Sequence, residues 1–263
     1  MNNNILSKIL KSKTQEIKNL QQKASLDSIQ VQAYSIAKQS QKIPIQKGKL
    51  KLIAEVKHKS PSKGIIRQNF DYLALAKSFS SQGAYVISVL TEAQYFGGSI
   101  QFLKQINDKL ETPLLQKDFI ISSYQIYQAR VAGASLVLLI QSVLKDRLKD
   151  FIQLCLQLQL RPLIEVHTLS ELQQALAVIK KLQLQTEVLL GINNRNLNTF
   201  EVDIDTGLNL LKTIKQDCPQ IFTVAESGFF EVSQLQKIDQ AGFDAVLIGE
   251  GLAKNPNLIK YFN

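Results

Sequence analysis

Residues 135–140 read SLVLLI, residues 161–167 read RPLIEVH and residues 187–193 read EVLLGIN. Each is a short apolar run rich in Leu, Ile and Val. Between the second and third, LSELQQALAVIKKL from Leu169 repeats its apolar residues with a helical period. A strand buried on both faces followed by an amphipathic helix is the repeating unit of a parallel sheet. Working outward, KLIAEVK (51–57, with Leu50 before it), YVISVL (85–90) and PLLQKDF (113–119) precede these runs, and IFTVAES (221–227) and DAVLIGE (244–250) follow them. DYLALAKSFSSQG from Asp71 supplies another helical stretch. Successive runs begin about 22 to 35 residues apart, the length of one strand plus one helix.

Eight such units predict an α/β protein, a closed (β/α)8 TIM barrel, whose usual size is ~250 residues. The competing open, doubly wound sheet would carry a GxGxxG or Walker loop after its first strand, and the sequence has neither. The expected organisation is a helical extension over residues 1–49, packed on the barrel, and a catalytic barrel over residues 50–263.

The chain has 263 residues, 45% hydrophobic and 20% charged, a balance that excludes a disordered or fibrous protein. No apolar stretch is long enough to span a bilayer. Cys155 and Cys218 are too far apart to form a metal clip and read as free thiols of a reducing compartment. Of the net charge of +9, the first fifty residues carry +7, from nine Lys against Glu16 and Asp27. Such an arm is able to bind a polyanion or an anionic membrane. Ile5, Ile9, Ile17 and Leu20, however, recur at helical spacing, so the preferred reading is an amphipathic helix docked on its own domain with its lysines facing solvent. No secretory core and no Arg before Arg67 leave neither a signal nor a transit peptide, and the expected location is cytoplasmic.

In a barrel the chemistry sits at the C-terminal ends of the strands. Six of the eight runs end in residues that resist burial: Glu55 and Lys57; Lys117 and Asp118; Glu165 and His167; Asn193, Asn194 and Arg195; Glu226 and Ser227; Glu250. One strand-end charge is ordinarily a solvated or ion-paired rim residue. A convergent ring of them is better read as a site, because unpaired burial is costly. Gly228, Gly249 and Gly251 sit where the last two strand–helix loops of a barrel usually hold phosphate through backbone N–H groups. His58 and His167 are the only histidines, no metal-ligand spacing is present, and Ser60 and Ser62 have no nucleophilic triad around them. His167 reads as a supporting loop residue. The chemistry on offer is acid–base work by Lys and Glu on a phosphorylated small molecule, with no metal and no cofactor.

These residues are familiar. Ile53–Gly64, IAEVKHKSPSKG, resembles the signature of the indole-3-glycerol-phosphate synthase family of tryptophan biosynthesis. Leu90-Thr91-Glu92 with Tyr95-Phe96-Gly97-Gly98, then LQKDF (115–119), LIEVH (163–167), GINNRNL (191–197), AESG (225–228) and LIGE (247–250) agree in order. The resemblance implies a carboxy-lyase that closes the indole ring of 1-(2-carboxyphenylamino)-1-deoxyribulose 5-phosphate, releasing CO2 and water to give indole-3-glycerol phosphate. It also implies extra helices ahead of the barrel that help to cover the substrate.

By the same resemblance, Lys117 is the general acid and Glu165 the general base. Lys57 holds the substrate carboxylate, Glu55 and Asn193 orient polar groups, and Arg195 and Glu226 complete the network. Phe96 and Phe119 flank the aromatic ring, Ser60 and Pro61 shape the mouth, and Leu197 joins the substrate-binding set. Ser227, Gly228, Gly249 and Glu250 hold the phosphate. Two positions depart from expectation: Gly251 stands where a small polar residue is expected, and the Glu250 side chain must point away from a bound phosphate. Two lysines in one pocket weaken each other's hold on a proton while carboxylates strengthen it, so the direction for Lys117 stays open here. The expected partner is the small-molecule substrate, with no nucleic acid and no membrane, and the expected state is a monomer. The rival readings are an aldolase-like barrel with Lys57 or Lys117 as Schiff-base nucleophile, and a noncatalytic barrel that binds nucleic acid through residues 1–50.

Overall fold

All eight apolar runs form strands, and all eight close on one another. The structure, a computed structural model, describes residues 5–36, 47–196 and 201–262. Two helices come first, α1 (Ile5–Lys23) and α2 (Leu26–Ser35). Then β1 (Lys51–Val56) opens the barrel, followed by a small antiparallel hairpin, β2 (Lys59–Ser60) and β3 (Gly64–Ile65), that the apolar pattern does not announce. The remaining strands are β4 (Val86–Leu90), β5 (Leu114–Lys117), β6 (Leu136–Ile140), β7 (Arg161–Val166), β8 (Leu189–Asn193), β9 (Phe222–Glu226) and β10 (Ala245–Ile248). Every pairing around the ring is parallel, and β10 returns to β1 to close it.

Helices fill the connections: α3 (Tyr72–Ser81), α4 (Ile100–Asn107), α5 (Ser123–Val131), α6 (Gln141–Leu144), α7 (Leu148–Gln157), α8 (Leu169–Lys181), α9 (Ile204–Asp217), α10 (Val232–Ala241) and α11 (Glu250–Lys254). The predicted starts at Asp71 and Leu169 have a local cause. Asp71 accepts hydrogen bonds from the backbone N–H groups of Leu73 and Ala74, and the Thr168 hydroxyl accepts from that of Glu171. Both satisfy donors that a helix start leaves unpaired.

Side chains alternate in and out along each strand, so the core divides in two. Ile53, Leu115, Leu138, Leu163, Phe222 and Leu247 are among the residues that plug the barrel interior. Their neighbours, such as Leu52, Ala54, Ile164 and Val246, face the helices. Two residues on from an inward position the side chain points inward again. Thus Ile53 is followed by Glu55, Leu115 by Lys117, Leu163 by Glu165 and Val224 by Glu226, which sets those polar groups above the plug.

Helix α1 lies against the barrel as its apolar spacing requires: Ile9 and Ile17 are buried, and Ile5 and Leu20 half-buried. The expectation that its lysines all face solvent is wrong at Lys13. That side chain is 1% exposed, with Nζ 3.0 Å from Oδ1 of Asp118 and 2.7 Å from Oε2 of Glu16. Lys13 lies four residues from both Ile9 and Ile17, so it shares their face. It is tolerated there because two carboxylates neutralise it. Helix α2 packs on α5, with the rings of Tyr34 and Tyr127 6.2 Å apart. Among the described residues no helix is long and apolar enough to cross a membrane.

Candidate active site

At the C-terminal end of the barrel lies a cleft of about 1120 Å3, a volume that includes the open space at its mouth. Every residue given a role by the resemblance lines it, except Leu197, which lies outside the described residues; His167 and Asn194 of the strand-end ring stand behind the lining. Its floor is built from strand ends. Lys117, the last residue of β5, places Nζ 3.4 Å from Oε2 of Glu165 on β7 and 3.7 Å from Oε2 of Glu226 on β9. Both carboxyl side chains are 1% exposed. On the opposite side Lys57, just beyond β1, is ion-paired to Glu55.

Two glycines make this crowding possible. Gly191 on β8 is in register with Glu165 of β7, and a Cβ on it would overlap Oε1 of Glu226. Without a side chain at 191 the two carboxyl groups share one space. Gly249, after β10, does the same for the other pair: a Cβ there would overlap Oε1 of Glu55 and lie 2.9 Å from Nζ of Lys57.

The charge states follow from these distances. Burial pulls the Lys117 ammonium down, but Glu165, Glu226 and Glu55 outweigh it and hold it above its ordinary value. The direction that the sequence left open is therefore upward. Glu165 is pushed up by burial and more strongly down by Lys117 and His167, so it stays ionised. Glu226 is raised, by burial first and then by the charge of Glu165. Neither oxygen of Glu226 accepts a hydrogen bond from the described residues, as suits a protonated carboxyl that donates to its neighbour. With Glu165 ionised and Glu226 raised, the buried pair holds one proton, on Glu226.

The walls are aromatic and the rim polar. The rings of Phe96 and Phe119 face each other across 6.2 Å. Phe96 is held by Glu92, a fully buried carboxylate that accepts from the backbone N–H groups of Gln94, Tyr95 and Phe96 at 3.2, 2.7 and 3.0 Å. Asp118 accepts from the Thr91 hydroxyl at 2.6 Å and from the Phe119 N–H at 2.7 Å. Asn193, the end of β8, accepts from the backbone N–H of Arg195 at 3.0 Å. Ser60 and Pro61 belong to the β2–β3 hairpin and its turn at the cleft edge.

Past β9 and β10 the chain bends sharply over the other end of the cleft. Ser227 and Gly228 both take left-handed backbone conformations, φ 67° and 95°. A non-glycine residue held at positive φ is uncommon and concentrates at functional turns. Gly251 has no room for the small polar residue expected there, since a Cβ would overlap the carbonyl oxygen of Phe229. The Glu250 carboxylate is held 2.9 Å from Lys254 and 3.7 Å from Arg195. Burial raises its pKa, but Lys254 and Arg195 more than reverse that, so it is ionised and neutralised.

The expected cover by the helices ahead of the barrel comes from α1, and two further parts of the site were not legible in the sequence. Ile5, Leu6 and Ile9 of α1 form part of the cleft wall. Phe229 and Phe230 add to the same lining. Glu171, four residues beyond His167, grips that histidine: its Oε2 accepts from the His167 backbone N–H at 2.8 Å and lies 3.2 Å from Nδ1. An acidic residue in the first turn of a predicted helix, one turn after a histidine, was the available signal.

The fold is shared widely. N-acetylmannosamine-6-phosphate 2-epimerase from Clostridium perfringens superposes with a TM-score of 0.59 over 87% of this chain and 97% of that one, at 14% identity, a likeness of fold alone. In sequence the relatives are much nearer. An indole-3-glycerol phosphate synthase of Chlorobium chlorochromatii is 45% identical over 214 residues, 81% of this chain and 79% of that protein. One from Crocosphaera subtropica is 41% identical over 265 residues, 96% of this chain and 86% of that protein. The family model for indole-3-glycerol phosphate synthase matches residues 6–262, and the chain belongs to that family.

Proposed function

We propose that the cleft performs the family's ring closure with Lys117 as general acid and Glu165 as general base. The enzyme converts 1-(2-carboxyphenylamino)-1-deoxyribulose 5-phosphate into indole-3-glycerol phosphate, CO2 and water, a step of tryptophan biosynthesis. The aromatic carbon that bears the carboxylate attacks the ketone, and the ketone oxygen gathers negative charge as the bond forms. A protonated Lys117 meets that charge and donates its proton, since an alkoxide is a stronger base than an amine. Loss of CO2 returns the ring electrons. Expulsion of the new hydroxyl as water then needs a base for the departing proton and an acid for the oxygen. An ionised Glu165 takes the first role.

The other roles follow the same layout. Lys57 pairs with the substrate carboxylate and assists protonation, with Glu55 and Asn193 orienting polar groups around it. Phe96 and Phe119 flank the ring, with Ser60 and Pro61 shaping its mouth. Arg195 and Leu197 belong to the substrate-binding set, Glu226 completes the network beside Glu165 as the protonated partner, and Ser227, Gly228, Gly249 and Glu250 receive the phosphate chiefly through backbone N–H groups. Glu250 uses its main chain there, its side chain being occupied by Lys254 and Arg195. Residues 1–49 act as the extension that completes the cleft, and residues 50–263 as the catalytic barrel. A monomer in the cytoplasm, with no nucleic-acid or membrane partner, is the working arrangement.

The observation that carries the reading is the Lys117–Glu165 contact of 3.4 Å on the floor of an aromatic-walled cleft. The test is indole-glycerol-phosphate fluorescence during turnover by wild type and Lys117→Met. A fall in kcat of about 10²–10⁴-fold, with substrate still bound, supports the acid assignment. A variant that keeps wild-type kcat overturns it.

A further inference from the structure

The mechanism above uses Lys117, Glu165 and Glu226 and leaves His167 idle. Its position is not idle. His167 follows the last residue of β7, and its Nε2 lies 3.3 Å from Oε1 of Glu165, while its other face is clamped by Glu171. Glu165 therefore meets a cation at each oxygen, His167 at Oε1 and Lys117 at Oε2. Among the described residues, Lys117 is the one cation within 4 Å of Glu226, at 3.7 Å.

Lys117 reaches both carboxyls, hydrogen-bonding Glu165 at 3.4 Å and lying 3.7 Å from Glu226, so it favours Glu165 by only a small margin of distance. Of the two, His167 contacts only Glu165, at 3.3 Å, and its charge reaches Glu226 from farther off. From this asymmetry we propose that His167, braced by Glu171, is a positioning residue that keeps the proton of the Glu165–Glu226 pair on Glu226 and the charge on Glu165. The proposal rests on Glu165 being the base. Its importance grows during turnover, because Lys117 loses its charge when it gives up its proton, and His167 is then the cation left beside Glu165.

The groups facing the imidazole and the carboxyl pair come from every side. Glu165 is on the histidine's own strand, Glu171 on α8, Lys117 on β5 and Glu226 on β9, with Glu55 of β1 acting on Lys117. Burial lowers the His167 pKa, but Glu165 and Glu171 together raise it to about 10. The ring is an imidazolium through the neutral range.

The experiment compares pH profiles of kcat and KM for the wild type, His167→Gln and Glu171→Gln. Removing the cation makes Glu165 hold its proton more tightly, so in His167→Gln the acid limb of kcat moves up by about one pH unit while KM stays within about twofold. Glu171→Gln keeps the ring but removes one of its two carboxylates. Its alkaline limb then moves down toward neutrality as the imidazole discharges, an effect that does not require the histidine to be replaced. A pH-independent fall in kcat in both variants, or a rise in KM with unshifted limbs, overturns the proposal. Glu165→Gln serves as the reference: if it retains wild-type kcat, the assignment of the base fails first, and the proposal falls with it.

Discussion

The ammonium of Lys13 lies 3.0 Å from Oδ1 of Asp118, which joins the helix ahead of the barrel to the residue that follows Lys117. Glu16 completes the contact at 2.7 Å, and the pair of carboxylates lifts the Lys13 pKa against the pull of burial. Asp118 in turn fixes Thr91 and the backbone of Phe119. Replacing Lys13 by Met strands the Asp118 charge in a buried site. We expect urea unfolding to show a loss of ~3–5 kcal/mol, with part of it restored when Asp118→Asn is added. A change below about 0.5 kcal/mol is the size of an ordinary surface substitution and would sink this view of the contact.

Gly191→Ala tests the space shared by the carboxyls. The new methyl overlaps Oε1 of Glu226, so that carboxyl has to move. Overpacking of this kind costs about 1–3 kcal/mol and displaces the carboxyl from Glu165. Calorimetry on Gly191→Ala and on Gly191→Ala/Glu226→Ala is the check. The double variant should be the more stable of the two, and the reverse order would refute the overlap.

Gly249→Ala acts on the other ion pair. Its Cβ meets both Glu55 and Lys57, so Lys57 moves away from the substrate carboxylate it is proposed to hold. A shift of about 1 Å in a positioning group costs up to 10²-fold in rate, and kcat/KM should fall by tenfold or more. Steady-state kinetics with unchanged kcat/KM would show that the pair is not in the substrate's path.

His167 also links stability to pH. Its pKa rises from an ordinary 6.5 to about 10 on folding, so folding takes up a proton. The stabilisation is complete below pH 6.5 and is lost as pH climbs through about 10. The difference in Tm between wild type and His167→Gln should therefore shrink steadily across that window. A difference that is constant with pH would mean the imidazole is neutral in the folded protein.

The barrel was legible because its two periods are both written in the sequence: apolar runs for strands, and spacing for the helices between them. The inward direction of Glu55, Lys117, Glu165 and Glu226 follows from period-two alternation once the runs are placed. What alternation cannot carry is distance across the barrel. Lys13 meets Asp118 from the far end of the chain, and only its place between Ile9 and Ile17 hinted that it was not on the wet face. The single proton held by the Glu165–Glu226 pair likewise depends on Gly191, a residue that reads in sequence as part of an ordinary strand. The β2–β3 hairpin was invisible because two-residue strands have no pattern to show.

The closure of the ring has a consequence during synthesis. Lys51 to Ala54 of β1 pair with Ala245 to Ile248 of β10, so one edge of the first barrel strand has no partner until the last one leaves the ribosome. Such long-range parallel pairing is slow, and an open, apolar strand edge is a template for neighbouring chains. Nascent chains stalled before residue 245 would be the species most in need of a chaperone, and β1 the segment it should cover.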